Sequence, residues 1–246
     1  MKYKKKFLII IPVYNEKNNI KPIVEKIFKK FTKKLSILFI DDNSIDGTRQ
    51  EIFNLKTKYK NIFLIKRGSK LGIGSAHKCG LRWGYKKKYF IIITMDCDGT
   101  HDPSYLNRLI KPINKSEIVT TNRFIKKNAL RGWSVWRIFL TSFRHNLIKF
   151  LLGIQYDSSG AFRCYDTRKV KLKDILEAKD NGYSFFWESI FILHKKNYKI
   201  SEIPINLPSR LTGNSKMRIK DIFHALLYLF YVSFKKKNKK FRSFIL

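Results

Sequence analysis

The chain has 246 residues, and 52 Lys plus Arg stand against 18 Asp plus Glu, a formal net charge of +34. Hydrophobic residues make up 44% of it, which excludes a disordered basic tail. The length suits one large α/β domain, or one with a small appendage. A charge of this size points to a polyanionic partner: nucleic acid, an anionic membrane surface or a phosphorylated substrate. Lys, Ile, Asn and Phe are abundant throughout, as in the proteome of an AT-rich genome, and that accounts for part of the excess.

The elements follow in chain order. Phe7 to Ile11 is a short apolar run, the mark of a buried parallel strand, and it is too short to be a signal-peptide core. Ile20, Ile23, Val24, Ile27, Phe28 and Phe31 recur at helical spacing. Leu35 to Ile40 predicts a second strand, followed by Asp41-Asp42-Asn43-Ser44 and a turn at Asp46-Gly47. A helix through Ile52 and Leu55 leads to a third strand at Ile62 to Ile65. Gly72, Ala76, Gly80 and Gly84 repeat every four residues and predict a helix lying close to its neighbour. Tyr89 to Met95 is a fourth strand, Pro103 opens another helix after an Asp102 cap, and Glu117 to Thr121 is a fifth strand.

This alternation predicts an α/β fold with a mostly parallel, doubly wound sheet and helices on both faces. Ligands then bind beyond the carboxyl ends of the strands. The polar clusters fall there: Tyr14-Asn15-Glu16, Asp41-Asp42 and Asp96-Cys97-Asp98. Two carboxylates at one strand end repel each other unless a cation shares them, and Mg²⁺ or Mn²⁺ prefers such hard oxygen ligands. Asp42 is placed to accept from the sugar or base of a nucleotide. Gly72-Ile73-Gly74 lacks the register of a phosphate loop and reads as helix packing.

Beyond residue 125 the pattern changes. Trp133, Trp136, Leu140, Phe143, Leu147 and Leu151 form a helical stripe interleaved with Arg131, Arg137, Arg144 and Lys149. It reads equally as a core helix or as a basic amphipathic helix in a membrane interface. Ile222 to Phe234 is apolar nearly all round, at about 20 Å too short for a ~30 Å hydrocarbon core. A Lys-rich run from Lys235 to Arg242 follows it. No stretch predicts a membrane-spanning helix. Cys79, Cys97 and Cys164 show no disulfide framework, which fits a reducing cytosol.

The ordered set Pro12-Val13-Tyr14-Asn15-Glu16, Asp41 to Thr48, Leu71 to Gly74, Asp96-Cys97-Asp98 with His101-Asp102-Pro103, Asn122-Arg123, Ser159 to Arg163 and Arg210 to Lys216 resembles the family 2 glycosyltransferases of the GT-A fold. The likeness is greatest to the dolichol-phosphate (polyprenol-phosphate) mannosyltransferases. It implies an inverting, metal-dependent transfer of mannose from GDP-mannose to a polyprenyl (dolichyl) monophosphate. It further implies that Pro12, Tyr14, Glu16, Ile40 and Asp42 hold the guanosine side and that Cys97 lines the donor pocket. Asp96 and Asp98 would hold Mg²⁺ or Mn²⁺, with Thr100 where the family often has a Gln ligand. Arg123, Arg210 and Lys216 would bind the donor diphosphate, and Arg123, Ser159 and Arg163 the acceptor phosphate. Asp98 and Arg123 are the candidate catalytic residues.

By the same resemblance, residues 1–220 form the catalytic domain and residues 221–246 a membrane-interface segment. The enzyme would be peripheral on the cytoplasmic face of an anionic membrane, alone or docked to a membrane subunit. Three alternatives stay open: a UDP-glucose-dependent transferase of the same type, an inactive transferase fold at the membrane surface, and a basic nucleic-acid-binding protein. The acidic clusters at the sheet edge speak against the last, because they repel a phosphate backbone.

Overall fold

The computed structural model describes residues 7–31, 35–209 and 216–245, with side chains described as far as Lys235. Seven strands form one sheet: β1 (Phe7–Val13), β2 (Leu35–Asp41), β3 (Ile62–Lys66), β4 (Ile91–Thr94), β5 (Ile118–Asn122), β6 (Arg163–Asp166) and β7 (Ile200–Pro204). The eight α-helices among the described residues are α1 (Lys17–Lys30), α2 (Thr48–Lys58), α3 (Ile73–Lys86), α4 (Leu106–Ile110), α5 (Val135–Leu152), α6 (Leu172–Leu176), α7 (Ser184–Lys195) and α8 (Ile219–Ile245).

Spatial order in the sheet is β3-β2-β1-β4-β6-β5-β7. The pairs β3/β2, β2/β1, β1/β4 and β5/β7 are parallel. β6 enters between β4 and β5 and runs antiparallel to both. The sequence reading of a parallel sheet therefore holds for β1 to β5, while β6 and β7 complete the sheet from a region where no strand was expected. This mostly parallel, helix-covered sheet is the GT-A fold.

Strand alternation sorts the core onto two faces. Phe7, Ile9 and Ile11 pack with Ile20, Ile23 and Ile27 of α1, Ile52 of α2 and Leu106 of α4. Leu8, Ile10, Leu38 and Ile40 pack on the other side with Ala76 and Leu81 of α3, Ile190 of α7 and Ile148 of α5. The glycine repeat of α3 packs the helix onto the sheet itself, not onto a neighbouring helix. A Cβ at Gly80 would fall 2.5 Å from Cγ2 of Ile10.

Asp102 caps the turn at Pro103–Tyr105 by accepting from the Ser104 amide at 2.9 Å, as the sequence implied. That turn is a 3₁₀ helix running into α4. α5 is not a core helix: its buried residues are only Ile148 and Leu152, while Trp136, Phe139, Leu140 and Phe143 are exposed. α8 begins at Ile219 and packs against α5 and α7. Among the described residues no helix is long and apolar enough to cross a membrane.

Candidate active site

The carboxyl ends of β1, β2, β4 and β5 open onto two adjoining clefts. The larger, 520 Å³, is lined by Pro12, Tyr14 and Glu16 after β1, Asp42 after β2, and Asp96, Cys97 and Asp98 after β4. Gly72 and Ile73 at the start of α3 close one wall, and Lys70, Lys216, Arg218 and Lys220 bring four cations to it. The smaller, 190 Å³, shares Asp96 and Asp98 with the first and adds Thr100, His101, Arg123, Ser159 and Gly160, with Arg137 and Arg144 from α5. Two cation-lined spaces thus meet at one pair of carboxylates.

Local chemistry fixes these loops. Asn15 adopts a left-handed conformation (φ 53°) that lets its amide donate to Ser44 Oγ at 2.9 Å, while its Oδ1 accepts from the Ile45 amide at 2.9 Å. Glu16 N donates to Thr48 Oγ1 at 2.9 Å, and Lys17 N to Asp46 Oδ2 at 3.0 Å. The Asp46-Gly47-Thr48 turn therefore ties the β1 and β2 ends together. Asp41 is consumed structurally: it pairs with Arg49 at 2.5 Å and accepts from the Ser44 amide. Asp42 alone faces the cleft, paired with Arg67, whose other nitrogens reach Ser75 Oγ at 2.7 Å and Gly72 O at 3.2 Å. Burial pushes the Asp42 carboxyl above its usual range, against the pull of Arg67. Gly72 is left-handed (φ 96°), and its missing Cβ leaves room for Asn181 O, which a side chain would meet at 2.4 Å. Gly72 and Ile73 thus serve the cleft as well as the helix packing expected of them.

At the shared wall, Asp98 is buried and accepts from Thr100 N at 3.1 Å and from Thr100 Oγ1 at 2.6 Å. The Thr100 hydroxyl orients Asp98. His101 Nδ1 accepts from the Asp96 amide at 2.9 Å, so the neutral ring carries its proton on Nε2. Burial pulls His101 down to about 4, against the attraction of Asp98; although its Nδ1 lies 3.7 Å from Asp96 Oδ2, the two form no charged pair at neutral pH. Among the described residues no group of three or more His, Cys, Asp and Glu side chains converges as a metal site. The donor set present, two adjacent carboxylates with hard oxygens at the meeting of two cationic spaces, fits one divalent ion that completes its shell with phosphate and water.

Arg123 is held by a carboxylate the sequence reading did not single out. Its Nε donates to Asp157 Oδ2 at 2.7 Å and its amide to the same oxygen at 3.2 Å. Burial works to raise the Asp157 pKa, and the Arg123 charge and hydrogen bonds outweigh it and hold the carboxyl below its usual range. Glu202 lies behind, accepting from the amide of Asp157 at 2.8 Å and from Asn122 Nδ2 at 3.0 Å. Ser159 donates to Asp157 Oδ1 through both its amide and its hydroxyl. Arg144 Nε is buried with no hydrogen-bond partner among the described residues, and desolvation takes its guanidinium down to about 10.

The structure corrects two of the expected residues. Ile40 is fully buried in the core on the α3 side of the sheet and lines neither cleft. By strand alternation it shares the sheet face of Asp42, but it lies inside the strand, where the core on that side covers it. Arg163 is not a phosphate clamp. It is 1% exposed, and its nitrogens donate to Gly160 O, Ser158 O, Phe186 O and Ser189 Oγ at 2.7–3.0 Å. Arg210 lies outside the described residues. Lys216 is in place on the larger cleft, its Nζ 3.3 Å from Asn15 O.

Two expected results arise here. Thr100→Val should cut turnover and metal affinity by roughly 10-fold while Thr100→Ser retains both, as for other residues that orient a ligating carboxylate; equal activity in Thr100→Val would remove the orienting role. The second concerns acid. His77 and His101 are buried, with pKa values pulled by burial to about 3 and about 4. Below pH 6.5 the unfolded chain binds protons at these rings that the folded chain does not, so stability falls as pH drops from 6.5 towards 4. The slope is up to about 1.4 kcal/mol per pH unit for each ring. Urea midpoints at pH 7 and pH 5 check this, and equal midpoints would contradict it.

A GT-A sheet with paired acids at its carboxyl edge and cation-lined clefts on either side is the arrangement of a glycosyltransferase. A family model described as Glycosyl transferase family 2 matches residues 8–177, and the chain belongs to that family. It is 29% identical over 222 residues to the polyprenol monophosphomannose synthase of Mycolicibacterium smegmatis, covering 89% of this chain and 83% of that protein. It is 27% identical over 211 residues to the undecaprenyl-phosphate mannosyltransferase of Micrococcus luteus, covering 85% of this chain and 86% of that one. Among solved structures it resembles the glucosyl-3-phosphoglycerate synthase of Mycobacterium tuberculosis bound to Mn²⁺, UDP and its product. The TM-score is 0.63 at 15% identity, over 92% of this chain and 80% of that one. The Mg²⁺–UDP complex of that enzyme gives 0.63 over 92% and 79%. At that identity the likeness is one of fold.

Proposed function

We propose that the chain moves mannose from GDP-mannose to a polyprenyl monophosphate with inversion at C1. The observation that carries this is the pair of cation-lined clefts sharing Asp96 and Asp98. The larger cleft, with Asp42, Tyr14 and Glu16 beside the cations Lys70, Lys216 and Arg218, suits a nucleoside diphosphate sugar. The smaller, walled by Arg123, Arg137 and Arg144, suits a phosphate monoester. Relatives named for mannosyl transfer to polyprenyl phosphates support the sugar and the acceptor.

In the reaction an acceptor phosphate oxygen forms the bond to C1 as the bond from C1 to the β-phosphate oxygen breaks. GDP departs, and an α donor gives a β-mannosyl phosphate. A phosphate monoester has a second pKa near ~6, so its oxygen is largely anionic at neutral pH and needs no general base. That agrees with a cleft whose histidine is buried and neutral. Arg123, fixed by Asp157, brings positive charge to the incoming phosphate. Asp96 and Asp98 would hold Mg²⁺ or Mn²⁺, which supplies charge neutralisation for the leaving diphosphate. The remaining residues orient the groups and need not move a proton. The acceptor's lipid tail places the enzyme at a membrane surface.

Incubation of the purified chain with labelled GDP-mannose, polyprenyl phosphate and Mg²⁺ should yield an organic-extractable mannolipid of β configuration. A chelator should abolish it. No mannolipid, or an α product, would overturn the reading.

A further inference from the structure

Among the described residues eighteen large hydrophobic side chains are exposed, and fourteen of them lie on α5 and α8. On α5 they are Trp136, Phe139, Leu140 and Phe143 with Val135 and Phe150; on α8 they run from Ile219 to Phe234. Their spacing of three and four places each set on one helix face. The two helices pack against each other. An exposed apolar surface confined to two adjacent elements marks an interaction site.

Charge selects its occupant. Residues 118–156 carry seven Lys or Arg and no Asp or Glu, and residues 222–246 carry six and none. A second copy would bring two such cationic faces together, whereas an anionic lipid leaflet takes aromatic side chains and neighbouring cations together.

The opposite side of α8 belongs to the site. Lys220, Asp221 and His224 line the larger cleft with Lys216 and Arg218 just before the helix, while Met217 and Ala225 line the smaller. A small apolar contact holds α8 in place, with Tyr228 and Val232 half-buried against the core around Leu229. Of its described side chains only Leu229 and Ser233 are buried, and Tyr228 donates to Glu188 Oε1 at 2.7 Å. A helix held this lightly opens at low free-energy cost, and a surface that buries its free face shifts it towards the docked state.

We infer that α5 and α8 dock on an anionic leaflet, and that docking settles α8 against the larger cleft and so tightens nucleotide binding there. The leaflet is thereby an effector of the donor site as well as the source of the acceptor. This rests on the reading of the larger cleft as the nucleotide-sugar site.

The test titrates GDP with Mg²⁺, and UDP in parallel, into the full chain without any polyprenyl phosphate. Titrations are run alone, with phosphatidylcholine vesicles and with phosphatidylglycerol-containing vesicles. The chain should sediment with the anionic vesicles, and the GDP Kd should fall about 5-fold or more with them alone, the lower end of ordinary allosteric coupling. Leu227→Glu/Phe234→Glu alters exposed positions outside both clefts. It should lose the sedimentation and the tightening while keeping the lipid-free Kd. Sedimentation with an unchanged GDP Kd would overturn the coupling and leave the donor reading standing. No binding of either nucleotide under any condition would overturn both. A stable dimer that ignores anionic vesicles would assign the face to a second copy and overturn the docking.

Discussion

Asp98→Asn should lower mannosyl transfer by about 10²-fold or more while leaving the fold intact, because it removes one charge from the wall that the two clefts share. The amide is isosteric with the carboxylate, and its oxygen can still accept from the Thr100 amide and hydroxyl, which reach Asp98 at 3.1 and 2.6 Å. The urea midpoint should therefore hardly move. What is lost is a hard anionic ligand for a divalent ion. The metal requirement should rise together with the loss of turnover, so titration of Mn²⁺ at saturating donor separates this effect from a general weakening. Full activity at unchanged metal concentration would remove Asp98 from the metal site.

Arg163→Met should do the reverse. Arg163 is a fully buried cation whose donors reach three backbone carbonyls and Ser189 Oγ. Met fills similar volume but removes the donor to Gly160 O and Ser158 O, each at about 1–3 kcal/mol, while Phe186 O keeps the Ser189 hydroxyl. A loss of about 3 kcal/mol or more in urea unfolding is expected, with little change in the acceptor KM of the protein that remains folded. A stable variant with a raised acceptor KM would return Arg163 to the phosphate site. The Gly160 and Ser158 carbonyls that it holds belong to the loop beside Arg123, so Arg163 supports the smaller cleft from behind.

That residue shows where the sequence is silent. Ser159-Gly160-Ala161-Phe162-Arg163 reads as a small-residue loop ending in a cation. Nothing in the string says that a strand begins at Arg163, runs antiparallel between β4 and β5, and buries its first side chain. β6 is four residues long and half polar, so it lacks the apolar run that made β1, β2 and β4 visible. Those strands were legible because a parallel strand covered on both faces must be apolar throughout. The acids at their ends then stood out in a chain poor in acids. Ile40 failed for a simpler reason: it shares the sheet face of Asp42, but it lies inside β2, where the core on the α3 side buries it before the cleft opens.

The partners of Arg123 and Asn122 were hidden by distance along the chain. Asp157 lies 34 residues from Arg123 and Glu202 lies 80 from Asn122, and each is an isolated acid in sequence. The cationic lining had the opposite problem. Lys70, Arg218 and Lys220 look like every other cation among 52, and only the geometry distinguishes those aimed into a cleft from those on the surface. Arg137 and Arg144 were noticed as part of the α5 stripe. Their place in the smaller cleft follows from the helix turning its apolar face outwards.

The most direct measurement is a competition between donors. GDP-mannose and UDP-glucose, differently labelled, are offered together to the purified chain with polyprenyl phosphate and Mg²⁺, and the extracted lipid is resolved by thin-layer chromatography. The account predicts a mannolipid carrying the GDP-mannose label almost exclusively, absent when polyprenyl phosphate is omitted. A glucolipid as the main product would contradict the donor assignment, and no sugar lipid from either donor would contradict the proposed transfer itself.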